Sequence, residues 1–454
     1  MRFSVLNLKI ENATVVTMSP KGTMHNATVI VENGRIQDLN KHAKLKHKYP
    51  RYEKIDAAGR VVIPGLVNTH QHMAMSLLRG YADDVPLQEW LERWIWPLEK
   101  HMIGQDIYVG ALLTAVEAVM GGTTTINTMY HYREEGNEAQ ALAEVGLRGV
   151  VGHVCFSWRK SEDKRALRSL AKNWHGKANG LIRASVDPHA PYTVDPEYLK
   201  ELREVTKELN EKYGSSRAPI MWHMHVAETS DEPNKIEKAF KVSVKGGVVE
   251  YLDSLGVLES DVVAAHCVSL TSKDMLVLKQ RDVKVSHNPI SNLKLGSGIS
   301  PVSDLLKVGV TVSIGTDSSC SNNSADMFEV MKTTALLHKG VQKEPTLLPA
   351  EQVLRMATIE GAKALLWEKE IGSIEVGKDA DLVIVDFKKP HLRPLFNEVS
   401  HLVYSAKMTD VDTVLVKGKI IMENRKITTV NVEKILDLAE TTKQKLLTRL
   451  QNEK

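Results

Sequence analysis

Val61-Val62-Ile63-Pro64-Gly65-Leu66-Val67-Asn68-Thr69-His70-Gln71-His72 is the stretch on which the fold turns. It is an almost unbroken apolar run that ends in two histidines one residue apart. On a strand, residues i and i+2 face the same side, so the imidazoles of His70 and His72 would converge on one point at a strand's end. Taken alone, His-x-His is a weak signal, as compatible with two surface or core histidines as with a metal site. Its weight comes from His225-x-x-Glu228, His266 and Asp317, each of which closes a further apolar run.

Working outward from residue 61, apolar runs alternate with amphipathic stretches, and eight strands are predicted at 62–68, 123–128, 149–155, 181–187, 219–226, 261–266, 283–287 and 310–315. Helical periodicity lies between and after them at 106–120, 195–212, 246–255, 271–280, 324–337 and 350–366. Eight strands with eight crossovers is the count of a (β/α)₈ TIM barrel, whose parallel strands are buried on both faces and so read as continuous Val/Ile/Ala runs. A doubly wound sheet would need a Gly-rich phosphate loop after its first strand, and none is present. The first sixty residues are β-rich, with Asn33-Gly34 as a hairpin signal. Strand-and-turn patterning returns after the last barrel helix, through Gly377-Lys378-Asp379-Ala380-Asp381-Leu382. The expected organisation is therefore an α/β chain with a barrel at 61–368 and a small β-sandwich-like domain built from both termini, 1–60 and 369–430. A terminal helix is expected at 431–454. The Lys/His-rich segment 41–48 reads as a solvated loop.

Composition narrows the function classes. The 59 basic and 56 acidic side chains nearly cancel, to a net charge of +3, and no long single-sign run occurs, so nucleic acid is not an expected partner. Cys155, Cys267 and Cys320 are odd in number and far apart, which fits a reducing compartment, and a cytoplasmic location is expected. With no basic leader into an apolar stretch and no run of about twenty apolar residues, neither export nor a membrane is indicated. The expected partner is a small-molecule substrate, and a homo-oligomer is anticipated.

In a barrel of this kind, function gathers at the carboxyl ends of the strands. That rule collects scattered residues into one cluster: His70 and His72 from strand 1, His225 and Glu228 from strand 5, His266 from strand 6, Asp317 from strand 8. Imidazoles with a carboxylate suit one divalent metal, Zn²⁺ first and Fe²⁺ second, with a coordination position left for water. His223, on the same strand face as His225, is expected one layer down as an interior histidine.

The passages Pro64 to His72, His225-Val226-Ala227-Glu228-Thr229, Ala264-Ala265-His266-Cys267-Val268 and Gly315-Thr316-Asp317 resemble the amidohydrolase superfamily, in its branch of aminohydrolases and triazine chlorohydrolases. Glu89-Trp90 followed by Pro97-Leu98-Glu99, together with Ser321-Asn322-Asn323-Ser324, looks most like the S-adenosylhomocysteine/5′-methylthioadenosine deaminases. The resemblance implies metal-dependent hydrolytic deamination of an adenine nucleoside. It also implies one metal, because strand 4 lacks the lysine that bridges two metals in the superfamily's binuclear members. His70, His72, His225 and Asp317 are assigned as ligands, with His266 nearby as an electrostatic or hydrogen-bonding partner of the nucleophile.

The chemistry assigns roles beside the resemblance. A divalent metal supplies hydroxide at neutral pH, and Glu228 is placed to carry a proton from water to the ring nitrogen. Asp317 can accept a hydrogen bond that orients the nucleophile. The resemblance implies that Glu99 holds a ribose diol and that His189 and Ser321 contact substrate, and Trp90 is expected to wall the pocket. Arg148 and Arg159 are candidates for an amino-acid carboxylate. His131 is expected as an exposed loop residue, Met129 and Trp158 as core or wall. Two competing readings are an aminohydrolase or chlorohydrolase of a triazine, guanine or other small heterocycle, and a metal-free scaffold. The cytidine-deaminase zinc pattern is missing.

Overall fold

A computed structural model describes residues 7–452. Eight parallel strands form the barrel: β1 (Leu66–Gln71), β2 (Thr123–Tyr130), β3 (Arg148–Cys155), β4 (Ile182–Pro188), β5 (Met221–Val226), β6 (Val262–His266), β7 (Lys284–His287) and β8 (Val312–Ile314). They pair in chain order. Every residue in all eight is buried, which is the physical reason the sequence runs show no alternation. β1 and β8 meet through individual bonds: the Asp317 N–H donates to the His70 carbonyl at 2.9 Å, and the Thr69 hydroxyl to the Ile314 carbonyl at 3.0 Å.

The first predicted strand is in fact two. Arg60–Pro64 pairs with Leu8–Val16 and Leu382–Asp386 in a separate sheet, and β1 begins at Leu66. The chain changes sheets at Gly65, whose N–H donates to the Asp381 carbonyl (2.9 Å) while the next N–H, of Leu66, donates to the Gly122 carbonyl (3.1 Å). A Cβ at residue 65 would lie 2.0 Å from Thr124 Oγ1, so the crossing requires glycine. The apolar run gave no sign of this change because both halves are equally buried.

The second sheet is mixed and has nine strands, drawn from both ends of the chain. Residues 8–64 supply five of them and 382–427 the other four. It has a core of its own, including Leu8, Ile10, Val29, Val62, Leu382 and Leu415. The segment predicted as a solvated loop at 41–48 contains a short helix, His42–Leu45, anchored by the buried Leu45.

Helices form at the predicted places. Pro196–Tyr213 starts with Asp195 accepting from the Tyr198 N–H at 2.9 Å and proline in its first turn. Ser272–Gln280 starts with a reciprocal Thr271/Asp274 capping box. The predicted helix 350–366 is two, Ala350–Met356 and Ile359–Ala364, broken at Thr358, where φ is −132°. The terminal helix Val432–Asn452 packs on Gly104–Met120 and buries Leu446, with Arg449 paired to Asp106. Among the described residues no single helix is long and apolar enough to cross a membrane.

The barrel interior is layered. Val67, Val150, Met221 and Val263 pack with Leu365 and Trp367 at the amino-terminal end. Above them the Thr69 hydroxyl bonds Ser286 (2.7 Å) and Ser313 (2.8 Å). Histidines occupy the layer above that. At the opposite end Arg148, the first residue of β3, is fully buried. Its Nε donates to Asp381 at 2.6 Å and its Nη2 to Asp379 at 2.7 Å. The expectation that Arg148 binds substrate is therefore corrected: a residue that opens a barrel strand faces away from the carboxyl ends, and this one ties the barrel to the second sheet.

Candidate active site

The carboxyl ends of β1, β5, β6 and β8 bring His70, His72, His225, His266 and Asp317 together. His70, His225 and His266 form one set of donor atoms within 4.8 Å of one another, and His70, His72 and Asp317 another. Asp317 Oδ1 lies 3.4 Å from Nε2 of both His70 and His72. His266 stands slightly further off, 4.0 Å from Asp317 Oδ2.

The tautomers show what the cluster fits. His72 Nδ1–H donates to the Met129 carbonyl (2.6 Å) and His225 Nδ1–H to the His189 carbonyl (2.8 Å). In a neutral ring the other nitrogen then carries a lone pair. Those two Nε2 atoms face each other at 3.3 Å, a pair of acceptors that a shared cation would satisfy. His70 Nε2 is buried and has no hydrogen-bond partner among the described residues. Burial pushes His70 and His225 well below the ordinary histidine range, toward the neutral form that ligates. Asp317 accepts from the Ser318 N–H and the Ser291 hydroxyl, both at 2.6 Å, which favours its ionised form against burial. A neutral imidazole set with one carboxylate is the donor chemistry of Zn²⁺ or Fe²⁺.

Backbone strain gathers at the same place. Ala227, His266, Cys267 and Asp317 all have left-handed φ, at 51°, 73°, 47° and 61°. Non-glycine residues hold such angles when surrounding bonds impose them. At β5 the clamp is Glu232, fully buried, whose two carboxylate oxygens accept from the N–H groups of Ala227 (3.0 Å) and Glu228 (2.8 Å). This fixes the turn that presents Glu228 to the cavity. Burial raises the Glu228 carboxyl, and Glu228 Oε1 lies 4.0 Å from His266 Nδ1. Asn292 receives the His266 Nδ1–H at 2.8 Å, and the Ser291 hydroxyl donates to Asp317 Oδ2 at 2.6 Å. Neither helper was legible in the sequence.

Over this cluster opens a cavity whose wall includes Trp90, Glu99, His189 and Ser321, four of the predicted substrate contacts. Glu99 accepts the Tyr130 hydroxyl at 2.7 Å, and burial pushes its carboxyl up to about 7. His189 lies against Phe156 with ring centroids 4.8 Å apart and is pushed down to about 3, first by burial. Trp90 is fixed by its Nε1–H on the Ala82 carbonyl (3.1 Å), and Ser321 Oγ sits 3.0 Å from Ser318 Oγ.

Arg159 is not on this wall. It reaches His131 Nδ1 (3.1 Å) and Asp163 (3.0 Å) and lines an adjoining recess with Arg133 and Arg165. His131, expected as an exposed loop residue, lines both spaces. Met129 lies on the cavity wall as expected, whereas Trp158 is 64 % exposed and stacks on the outer side of Phe156. Tyr130, Phe156 and Tyr192 were missed, though Tyr130 and Phe156 lie at strand ends where the barrel rule could have found them.

The family model for the amidohydrolase family matches residues 61–421. A 5′-deoxyadenosine deaminase from Methanosarcina acetivorans is 44 % identical over 446 residues, covering 97 % of this chain and 98 % of that protein. A 5-methylthioadenosine/S-adenosylhomocysteine deaminase from Thermoanaerobacter pseudethanolicus is 43 % identical over 452 residues, covering 98 % and 100 %. Among solved structures, an adenosine deaminase from Xanthomonas campestris with bound zinc superimposes with a TM-score of 0.87 at 32 % identity, covering 98 % of this chain and 99 % of that one.

Proposed function

The chain belongs to the amidohydrolase family, and from that premise we propose that it hydrolyses the amino group from an adenine nucleoside. The substrate is 5′-methylthioadenosine, S-adenosylhomocysteine or an adenosine-like compound, and the products are the inosine analogue and ammonia. The observation that carries the reading is the pair of lone-pair-bearing Nε2 atoms of His72 and His225, 3.3 Å apart and beside Asp317, on the floor of a cavity that also holds Glu228 and Glu99. His70, His72, His225 and Asp317 would hold one divalent ion per chain, zinc by its donor set. When bound it supplies the Lewis acid that makes water nucleophilic at neutral pH.

The chain's own residues do the rest. Glu228 takes a proton from the attacking water at a carboxylate oxygen and delivers it to the ring nitrogen that gains electrons. Burial raises its proton affinity, which suits a group that accepts and then releases. Asp317 begins ionised and accepts the hydrogen bond that aims the water; after the addition it takes that remaining proton to the amino group, which leaves as ammonia as the C–N bond breaks and the ring carbonyl forms. Burial lowers the proton affinity of His266, but Glu228 and Asp317 outweigh it, so His266 Nε2–H can donate to the water oxygen. Glu99 accepts both ribose hydroxyls, with Tyr130 holding its other face. Trp90, Phe156 and His189 wall the base and sugar, and Ser321 adds a polar contact. Past His131, Arg159 is available to the carboxylate of a homocysteine tail. The three cysteines are buried free thiols, in keeping with a reducing cytoplasm, and the proposal includes a homo-oligomeric state.

Zinc-loaded protein incubated with 5′-methylthioadenosine, S-adenosylhomocysteine, adenosine, guanine and a chlorotriazine tests the reading. Ammonia release from the nucleosides is expected. Chloride from the triazine or ammonia from guanine, with the nucleosides untouched, would transfer the site to the small-heterocycle reading.

A further inference from the structure

The three histidine ligands are not held alike. His72 and His225 each rest Nδ1–H on a backbone carbonyl, but His70 Nδ1 meets another imidazole, His223 Nε2, at 2.7 Å. His223 lies one layer below, as its place on β5 suggested, yet it is not a bystander. Its far nitrogen, Nδ1, has no hydrogen-bond partner among the described residues and faces Asp187 Oδ2 at 3.7 Å. Asp187, near the end of β4, is fully buried, and neither of its oxygens makes a hydrogen bond among the described residues. Space is kept for it: a Cβ at Gly152 on β3 would lie 1.7 Å from Asp187 Oδ2. Burial raises the Asp187 carboxyl, and the Ser185 hydroxyl and the His223 ring are the groups set against it, so a carboxyl that neighbouring strands make room for calls for a role.

We propose that Asp187 and His223 are positioning residues that fix His70 in the tautomer whose Nε2 lone pair faces the cation. The inference rests on the metal reading above. The logic runs outward from Asp187. In its ionised form, which a cation in the layer above favours, Asp187 only accepts, so the His223 nitrogen that faces it carries the proton, and His223 Nε2 is left as an acceptor. His70 Nδ1 must then donate across the 2.7 Å contact, and the sole proton of a neutral ring is used there. Nε2 is bare and aimed at the donor cluster. In the reverse arrangement His70 Nε2–H would point a proton into the metal position. This places the metal-binding competence of β1 under the control of a residue on β4, a strand that supplies no ligand.

The test separates the relay from the metal reading. Wild type, His223→Phe, His223→Gln and Asp187→Leu are loaded with zinc. Zinc content, the rate of zinc loss to a chromophoric chelator, and the melting temperature of the metal-free protein are then measured. His223→Phe should lose zinc about 10–100 times faster, the usual effect of removing a partner behind a ligand. His223→Gln, whose amide oxygen can accept from His70 Nδ1–H, should stay near wild type, with Asp187→Leu between them. Equal rates for wild type and Phe overturn the relay, as does a Gln variant as leaky as Phe. A wild type that takes up no zinc overturns the metal reading and the relay with it. Neutron diffraction on zinc-loaded wild type needs no variant to fold. Deuterium on His70 Nδ1 and His223 Nδ1 is expected, and deuterium on His223 Nε2 overturns the proposal.

Discussion

Replacing Arg148 by methionine isolates what holds the barrel to the second sheet. The methionine keeps an unbranched stem against Trp367, above which the guanidinium now lies at 5.5 Å, and deletes the charge. Asp379 and Asp381, both with side chains 2 % exposed, then lose bonds of 2.7 and 2.6 Å. Removing one partner of a buried ion pair costs about 3–5 kcal/mol, because the opposite charge is left without compensation. Unfolding entropy of about 2.1 cal/mol/K per residue makes about 1 kcal/mol/K for this chain, so the melting temperature should fall by about 3–5 °C. Adding Asp379→Asn and Asp381→Asn to Arg148→Met should restore most of that loss, since the stranded charges are gone. Differential scanning calorimetry on the single and triple variants measures both effects. At 25 °C, where the variant remains folded, kcat/KM should stay within about twofold of wild type, since Arg148 touches nothing in the cavity. An unchanged melting temperature, or a selective rise in KM for a substrate carrying a carboxylate, would refute the reasoning and return Arg148 to substrate binding.

Elemental analysis of purified protein should give about one zinc per chain, and His225→Ala should lose metal and activity together; two tightly held ions would contradict the four-ligand set. Glu228→Gln should retain zinc while activity falls by a factor on the order of 10²–10⁴, and loss of metal in that variant would make Glu228 a ligand. Glu99→Ala should cost ribosides about 1–3 kcal/mol in kcat/KM relative to the free base, and equal slowing of both would remove the diol contact. Glu99 sits at about 7 through burial and must be ionised to accept two hydroxyls. The riboside-to-base ratio of kcat/KM should therefore rise from about pH 6 to about pH 8 and be flat in Glu99→Gln.

The sequence carried the barrel and the histidine cluster because strand order in a parallel barrel is spatial order, so histidines at the ends of distant runs are neighbours by topology. The same rule puts Arg148, the first residue of β3, at the far end of the barrel. Its partners, Asp379 and Asp381, lie more than two hundred residues away in the other sheet, and no local pattern announces them. Periodicity could not divide Val61–Thr69 between two sheets, because burial looks alike in both. His223 and Asp187 were read as filler or passed over, since a tautomer is set by which atoms face each other. Glu99 was found by resemblance; its partner Tyr130 ends β2, within reach of the barrel rule, but no motif shows that the two side chains bond.

The division at Gly65 bears on how the chain reaches its native form. Arg60–Pro64 is a central strand, hydrogen-bonded to Leu382–Asp386 on one side. Roughly 320 residues separate the two, so at about 5–20 residues per second a ribosome delivers the second on the order of 15–60 s after the first. Throughout that interval the strand has an open edge with β-branched side chains at Val61, Val62 and Ile63, the kind of edge that pairs with another chain. The ligand-bearing β1 is continuous with it through one glycine, so nascent chains arrested before residue 382 should be the species that chaperones hold and that aggregate when chaperones are scarce.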